Sequence, residues 1–491
     1  MSSPPAGEPP LARHLREVRE GERASFHMPG HKGAKGAPPA GRALLGDVAY
    51  DADVSEMGGF DYLHHPEGAL LESTARAARL FGAARSWFLV NGATVGNLAA
   101  ICATVGEGDT LLLARGSHRS AYAALALSGA RPLYLPPVAH PAIDGLFGVD
   151  PAAVGRALDA HPEIRAVHVT SPSYHGLCVD LAAVARLAHD AGVPLIVDEA
   201  HGSHFVAHPG LPAPALSLGA DLVVHSPHKT LGSLTQSSLL HHQGELVDAE
   251  RVDGLLQMLQ SSSPSALLLV SLDVAVAELA ATGTARWARA LSLAGTVRAA
   301  AGRYAPLCCY GEELRGVGGI ADYDPSKLVI DVVGLGWSAP EAAAYLAGEW
   351  RIRPEFSDLR RMVFSLTAAD DDESAALLVD ALADLAAAGG VAVPGEGPVS
   401  RWPGEVPEMR RTPREASMAP AAGSLSLPRD EALGRVAAEM VVPYPPGIPL
   451  LVPGEVVSAA VLESIEQLLA AGCRIVGMAD AEGAMLRCLA D

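Results

Sequence analysis

The sequence predicts an α/β protein with a mainly parallel central sheet, followed by smaller α+β domains toward the C-terminus. Three observations carry that expectation. Between Leu70 and His225, short aliphatic runs alternate with amphipathic helical periods, and strands alternating with helices need crossover connections that favour parallel pairing. Apolar residues make up 49% and charged residues 19% of the chain, a globular and not a disordered composition. At 491 residues the chain exceeds what a single compact core accommodates, so roughly two or three lobes are expected.

Taken in order, residues 1–69 form an N-terminal segment with candidate site loops. A proline-rich tail precedes a charged helical period over Leu11–Arg23. Phe26–Gly33, FHMPGHKG, and the Gly/Pro-rich residues up to Gly46 read as loop. Asp53–Gly68, DVSEMGGFDYLHHPEG, reads as another, and loops this long inside a compact protein commonly serve a site. Residues 70–295 form a large domain. Its helices fall at Leu70–Phe81, Thr94–Val105, Ser120–Ser128, Pro151–Ala160 and Leu181–Ala191. Its strands fall at Ser86–Val90, Thr110–Ala114, Arg131–Leu135, Ala166–Thr170, Pro194–Asp198 and Leu222–His225. A mostly helical stretch then runs to Leu293, interrupted at Ser261–Pro264. Residues 296–392 read as a small α+β domain, with strand patterns at Asp324–Val333 and Arg361–Leu366 and helices at Pro340–Trp350 and Glu373–Ala388. Residues 393–491 hold a linker or wrapping segment over Gly395–Ser424 and a C-terminal domain with a proline-dense stretch at Val441–Pro449, where prolines fix an extended path.

Composition excludes several function classes. The formal charge of −20, with no basic stripe to offset it, argues against nucleic-acid binding. Six cysteines are present (Cys102, Cys178, Cys308, Cys309, Cys473 and Cys488), none in a C-x-x-C pair, so no disulfide framework is expected. No signal-peptide pattern opens the chain, and no uninterrupted apolar run reaches the ~18–20 residues of a membrane span. A soluble, cytoplasmic protein is expected. No metal is assigned: Pro29 and Gly30 forbid a helix that would pair His27 with His31, and His201 and His204 with Asp198 form the other arrangement weighed.

In parallel sheets the ligand sits beyond the carboxyl ends of the strands, and three such ends carry unusual residues. Asn91-Gly92-Ala93-Thr94-Val95 opens a helix directly after a strand, which offers free N–H groups and close backbone approach to a phosphate. Asp198-Glu199 ends another strand, and a carboxylate there needs a cationic partner such as a protonated pyridine nitrogen. Ser226-Pro227-His228-Lys229 follows a third. Desolvation and the neighbouring His228 are expected to lower the proton affinity of Lys229, the condition for a nucleophilic amine. A phosphate cradle, an aspartate and a lysine, in that order, describe a pyridoxal 5'-phosphate site.

These stretches resemble the Orn/Lys/Arg decarboxylases of the aspartate-aminotransferase-like fold. The resemblance runs almost end to end, through FHMPGHKG, FDYLHHPEG, NGATVGN, ARGSHRS, TSPSYHG, DEAHGSHF, SPHKTLGSLTQSS and PYPPGIPLLVPGE. It is nearest the short biosynthetic arginine decarboxylase-like form, since no receiver-like wing domain precedes HMPGHK. The resemblance implies a PLP-dependent transferase-like fold, with Lys229 as the Schiff-base lysine and Asp198 as partner of the pyridine nitrogen. It implies that Ala93, Thr94, Val95, Ser226 and His228 cradle the phosphate and that His118 stacks on the ring. Ser171 and His201 would line the ring's other edges, and Ser262 would reach the phosphate of a neighbouring subunit. A homodimer, or an assembly of dimers with shared active sites, follows from that. Ala93, Arg119 and Tyr62 stand where the family commonly has Ser, Lys and Asp. The implied activity is decarboxylation of a basic L-amino acid, arginine to agmatine first, as in polyamine biosynthesis. Lysine or ornithine is the alternative substrate, and an aminotransferase or lyase of the same fold the alternative chemistry. A non-catalytic PLP-binding subunit is the remaining reading. A guanidinium prefers a bidentate carboxylate, for which Asp53, Glu56 and Glu67 are the candidates. The proton donor to Cα is left between Lys229 and a nearby histidine.

Overall fold

The computed structural model describes residues 8–143, 145–304, 306–390, 405–420, 423–444, 447–480 and 482–490. Its centre is a seven-stranded sheet in the order Arg85–Leu89, Ser238–His242, Leu222–His225, Leu195–Asp198, Ile164–Thr170, Thr110–Ala114, Arg131–Leu135. The last five run parallel. The Ser238–His242 strand is antiparallel to both of its neighbours. The Leu195–Asp198 and Leu222–His225 strands are buried at every residue, which is why they read as continuous apolar runs and not as alternating ones. Cores lie on both faces of the sheet, one around Leu112, Val167, Val197 and Val223, the other around Leu111, Leu113, Ile196 and Val224.

Register sets the site. Thr170 pairs with Asp198, and Asp198 with Val224. The polar ends of three parallel strands therefore stand side by side at one edge, and Lys229 follows a few residues later.

Helix Ala266–Ala301 joins two cores. Leu269, Leu272, Val276 and Trp287 pack into the large-domain cluster, whereas Leu293, Val297 and Ala301 pack with Leu328, Ile330 and Leu382. It extends beyond the expected Leu293. Among the described residues it is the one helix long and apolar enough to cross a membrane by length and composition; here that apolarity serves the two cores. The second core covers an antiparallel sheet ordered Cys308–Cys309, Lys327–Asp331, Arg361–Ser365, Phe356–Ser357. A further cluster, around Val441, Leu451, Ile465 and Leu486, lies in the C-terminal residues.

Two local expectations are corrected. Residues up to Gly46 do not all form loop: a helix spans Pro39–Ala52, broken at Gly46 (φ 77°). Pro38 and Pro39 suit the start of a helix, where a missing N–H costs nothing, and Gly46 absorbs the kink. The sequence reading also places no strand at Ser238–His242, whose polar residues hide a fully buried strand. Of the expected 395–424 segment, residues 395–404 and 421–422 lie outside the described residues. The part between them includes a short helix, Pro413–Ser417, closed by a Thr412–Glu415 capping box. Arg414 Nε donates to Ala126 O at 3.0 Å, so this part does wrap the large domain.

Candidate active site

Lys229 sits in the one-turn helix Pro227–Thr230, and its N–H donates to Ser226 O at 2.9 Å. Its Nζ lies 3.1 Å from His201 Nε2 and 5.8 Å from the centre of the Tyr174 ring. Tyr174 meets His201 edge-on, centroids 4.9 Å apart. Burial pushes the Lys229 pKa down; the Asp198 charge opposes the shift and the buried Lys327 adds to it. The cation that disfavours the Lys229 ammonium is therefore Lys327, not His228. His228 instead turns its Nδ1 to Ser237 O, at 2.7 Å. Burial, followed by the Lys229 charge, holds His201 well below the ordinary histidine range, so this ring is neutral.

Asp198 is buried and anchored. Oδ1 accepts from the Ala200 N–H at 3.1 Å, and Oδ2 accepts from Asn97 Nδ2 at 2.8 Å. Asn97 Nδ2 also lies 2.9 Å from Ser120 Oγ, which is 2.8 Å from His118 Nδ1. Burial lowers His118 to a pKa of about 4, against the pull of Asp198. His168, buried beside them with Nδ1 3.3 Å from Ser117 Oγ, is lowered by burial to about 4 as well.

Helix Gly92–Thr104 points its first turn at the same edge. Gly92 has φ 73°, a conformation that a side chain disfavours. The N-cap residue, Asn91, makes no capping hydrogen bond; its Oδ1 accepts from the Ser261 N–H at 3.2 Å. The first-turn amides around Ala93 and Thr94 thus keep donors that no intrahelical carbonyl can satisfy. Ser226 Oγ, Thr170 Oγ1 and His201 Nδ1 are buried without a hydrogen-bond partner. Buried polar atoms are normally satisfied. A group carrying an anionic phosphate and a polar ring fits this set: donors at one end, a fixed carboxylate at the other, and an amine between them.

The family model for "Orn/Lys/Arg decarboxylase, major domain" matches residues 9–310, and that for the C-terminal domain matches residues 400–479. The chain belongs to the Orn/Lys/Arg decarboxylase family. An arginine decarboxylase of Halalkalibacterium halodurans is 37% identical over 93% of this chain and 92% of its own length. One of Bacillus anthracis is 35% identical over 96% and 95%. A lysine decarboxylase of Pseudomonas aeruginosa is 31% identical over 55% of this chain and 39% of its own. The fold matches the constitutive lysine decarboxylase of Escherichia coli with a TM-score of 0.84 at 22% identity, covering 99% of this chain and 82% of that one.

Within this family member, the residues singled out from sequence fall into two groups. Lys229, His201, Asp198, His118, Ser226 and the Ala93–Val95 turn gather at the sheet edge. Ser171 is adjacent, but its hydroxyl accepts from the Val179 N–H at 3.2 Å and its own N–H donates to Asp198 O. Ser262 lies in an exposed loop, its carbonyl 3.5 Å from Tyr62 Oη. Asp53 faces His31 at 3.2 Å, and Glu67 faces His65 at 3.4 Å in solvent. Neither these nor Glu56 hydrogen-bonds Lys229, His201 or Asp198. His204 faces Asp324 at 3.1 Å and stacks on Trp287, apart from any arrangement with Asp198.

Sequence reasoning passed over Asn97, Ser120, Tyr174, His168, Lys327 and Glu355. Asn97, Ser120 and Tyr174 lie inside the quoted stretches NGATVGN, ARGSHRS and TSPSYHG, so a signal existed. Lys327 and Glu355, whose charges reach Lys229, come from the small sheet and carry no motif.

Proposed function

We propose that this chain converts arginine to agmatine and carbon dioxide, with pyridoxal phosphate as its cofactor. The observation that carries the reading is the half-buried Lys229 amine, 3.1 Å from His201, beside an Asp198 carboxylate held by Asn97. Arginine is preferred because the relatives named arginine decarboxylase match nearly the whole chain, whereas the lysine-specific one matches about half.

Bound pyridoxal phosphate supplies the electron sink for the pair left when the Cα–carboxylate bond breaks. The first turn of helix Gly92–Thr104 and the Ser226 hydroxyl would hold the phosphate, with His228 and Val95 beside them. Asp198 would accept from the pyridine N–H, with His118, Ser171 and His201 lining the place where the ring would be held. Burial raises the fraction of Lys229 present as free amine, the form that attacks a carbonyl. As a free amine, Lys229 Nζ would share a proton with His201 Nε2, 3.1 Å away, and could return one to Cα.

The guanidinium is assigned to carboxylates of the 53–67 segment: Asp53, Glu56 and Glu67. Since none of them touches the Lys229 cluster of the same chain, they serve the site of a partner in a homodimer, as does Ser262. Exposed apolar residues in the stretch just before that segment support a partner there: Phe26 is 95% exposed, Leu44 84% and Val48 74%.

Purified protein loaded with pyridoxal phosphate and given arginine, lysine and ornithine separately tests the reading. Agmatine with carbon dioxide is expected from arginine. Cadaverine or putrescine as the main product would move the substrate, and a keto acid would replace the reaction class.

A further inference from the structure

We propose that Asn97 and Ser120 are positioning residues that fix the ring tautomer of His118 from Asp198. This rests on the reading of Asp198 and His118 as cofactor-facing groups. The direction of each hydrogen bond in the chain follows from its two ends, the Asp198 carboxylate and the Ser120 amide that caps at His118 Nδ1. An ionised carboxylate only accepts, so Asn97 presents its NH2 group to Asp198 Oδ2, 2.8 Å away. The second proton of that same nitrogen goes to Ser120 Oγ at 2.9 Å. The Ser120 oxygen keeps a second lone pair, so the capping amide decides the direction. Nδ1 accepts from the Ser120 backbone N–H at 3.3 Å, and the Ser120 hydroxyl, 2.8 Å away, therefore gives Nδ1 its proton. Two donors converge there, so Nδ1 is bare and Nε2 carries the ring proton.

His118 is at the same time the N-cap of helix Arg119–Ser128, its side chain accepting from the Ser120 amide. Only an unprotonated Nδ1 can cap in this way. The backbone of Gly447 passes the far edge of the ring, where an added Cβ would just reach contact, 3.4 Å from Cδ2 and 3.6 Å from Nε2. Asn97 and Ser120 are buried, so water does not substitute for either link. His118 is thereby a neutral ring that presents Nε2–H, and it cannot take up a proton at Nδ1 without losing its cap. Proton transfer is left to Lys229 and His201.

The test is selective 15N-histidine labelling of the apoprotein at neutral pH, with His118→Gln to assign the resonance. A bare Nδ1 and a protonated Nε2 are expected. Ser120→Ala and Asn97→Ala should each move His118 toward a mixture of tautomers. Asn97→Ala, which also frees Asp198, should weaken rebinding of pyridoxal phosphate roughly tenfold. A wild-type His118 protonated at Nδ1, or a signal unchanged in both variants, would overturn the proposal. Should either variant fail to fold, the wild-type tautomer alone decides. Loss of arginine turnover beside the expected tautomer would sink the functional reading and leave this one standing.

Discussion

Desolvation is the dominant influence on the titratable residues around the sheet edge. It lowers Lys229, His201, His118 and His168 together, each because the charged form loses water. In the proposed reaction, Lys229→Ala removes the amine that holds the carbonyl. The visible absorbance of the bound cofactor should vanish and turnover fall by ~10²–10⁴-fold or more, while circular dichroism stays unchanged. His168 gives a separate prediction on stability. Its folded pKa is about 4, against an ordinary 6.5. Below pH about 4 both folded and unfolded states carry the proton, and the burial cost is fully present. Between about 4 and 6.5 the unfolded state binds a proton that the folded state does not, so stability rises with pH. Above 6.5 its contribution is flat. In that window His168→Gln should reduce the slope of unfolding free energy against pH by about 1.4 kcal/mol per unit, measured by urea titration.

Elements place these residues, and close packing sets how precisely. Gly96 lies in helix Gly92–Thr104 where a Cβ would stand 2.8 Å from Val224 Cγ1 and 3.0 Å from Leu89 Cδ1. The helix rests directly on two strands there. Gly96→Ala must lift it, and overpacking of this kind costs about 1–3 kcal/mol. The first turn should shift with it, so cofactor titration should show weaker binding and thermal melting a lower midpoint. This is also where sequence reading does best. Every parallel strand from Thr110 to His225 was legible, the interior ones because a strand buried on both faces has to be apolar. Ser238–His242 was not, because its histidines are paired inside the protein: His241 Nδ1 meets Ser86 Oγ at 2.6 Å and His241 Nε2 meets His225 Nδ1 at 3.1 Å. A buried polar network looks like surface in a one-dimensional pattern. Within the site, Lys229 and Asp198 announced themselves at strand ends, whereas Asn97 and Lys327 acquire meaning only from partners about a hundred residues away in the chain.

Across the whole molecule, a buried cation helps fasten the C-terminal residues to the large domain. Arg115, beyond strand Thr110–Ala114, donates Nη1 to Tyr122 Oη at 2.8 Å and to Pro449 O at 3.1 Å. Its Nη2 donates to Leu450 O and to Glu455 Oε2, both at 3.1 Å. The two charged side chains are 3% and 0% exposed. Glu455 in turn accepts from the Val452 N–H at 2.8 Å, so one carboxylate both neutralises Arg115 and shapes the Val452–Glu455 turn. Removing it leaves a guanidinium buried without its counter-charge, which costs about 3–5 kcal/mol. The same segment reaches the site, since Gly447 O accepts from the Arg119 N–H at 3.2 Å beside His118. Glu455→Ala should therefore lower the unfolding midpoint and loosen His118, weakening cofactor retention in parallel. Glu455→Gln keeps the acceptor oxygen and loses only the charge, so it should fall between wild type and alanine. The pair Arg115→Met with Glu455→Leu removes both charges and should recover part of the stability lost by Glu455→Ala. Equal losses in the single and double variants, measured by denaturant titration, would show that the fastening is packing and not charge.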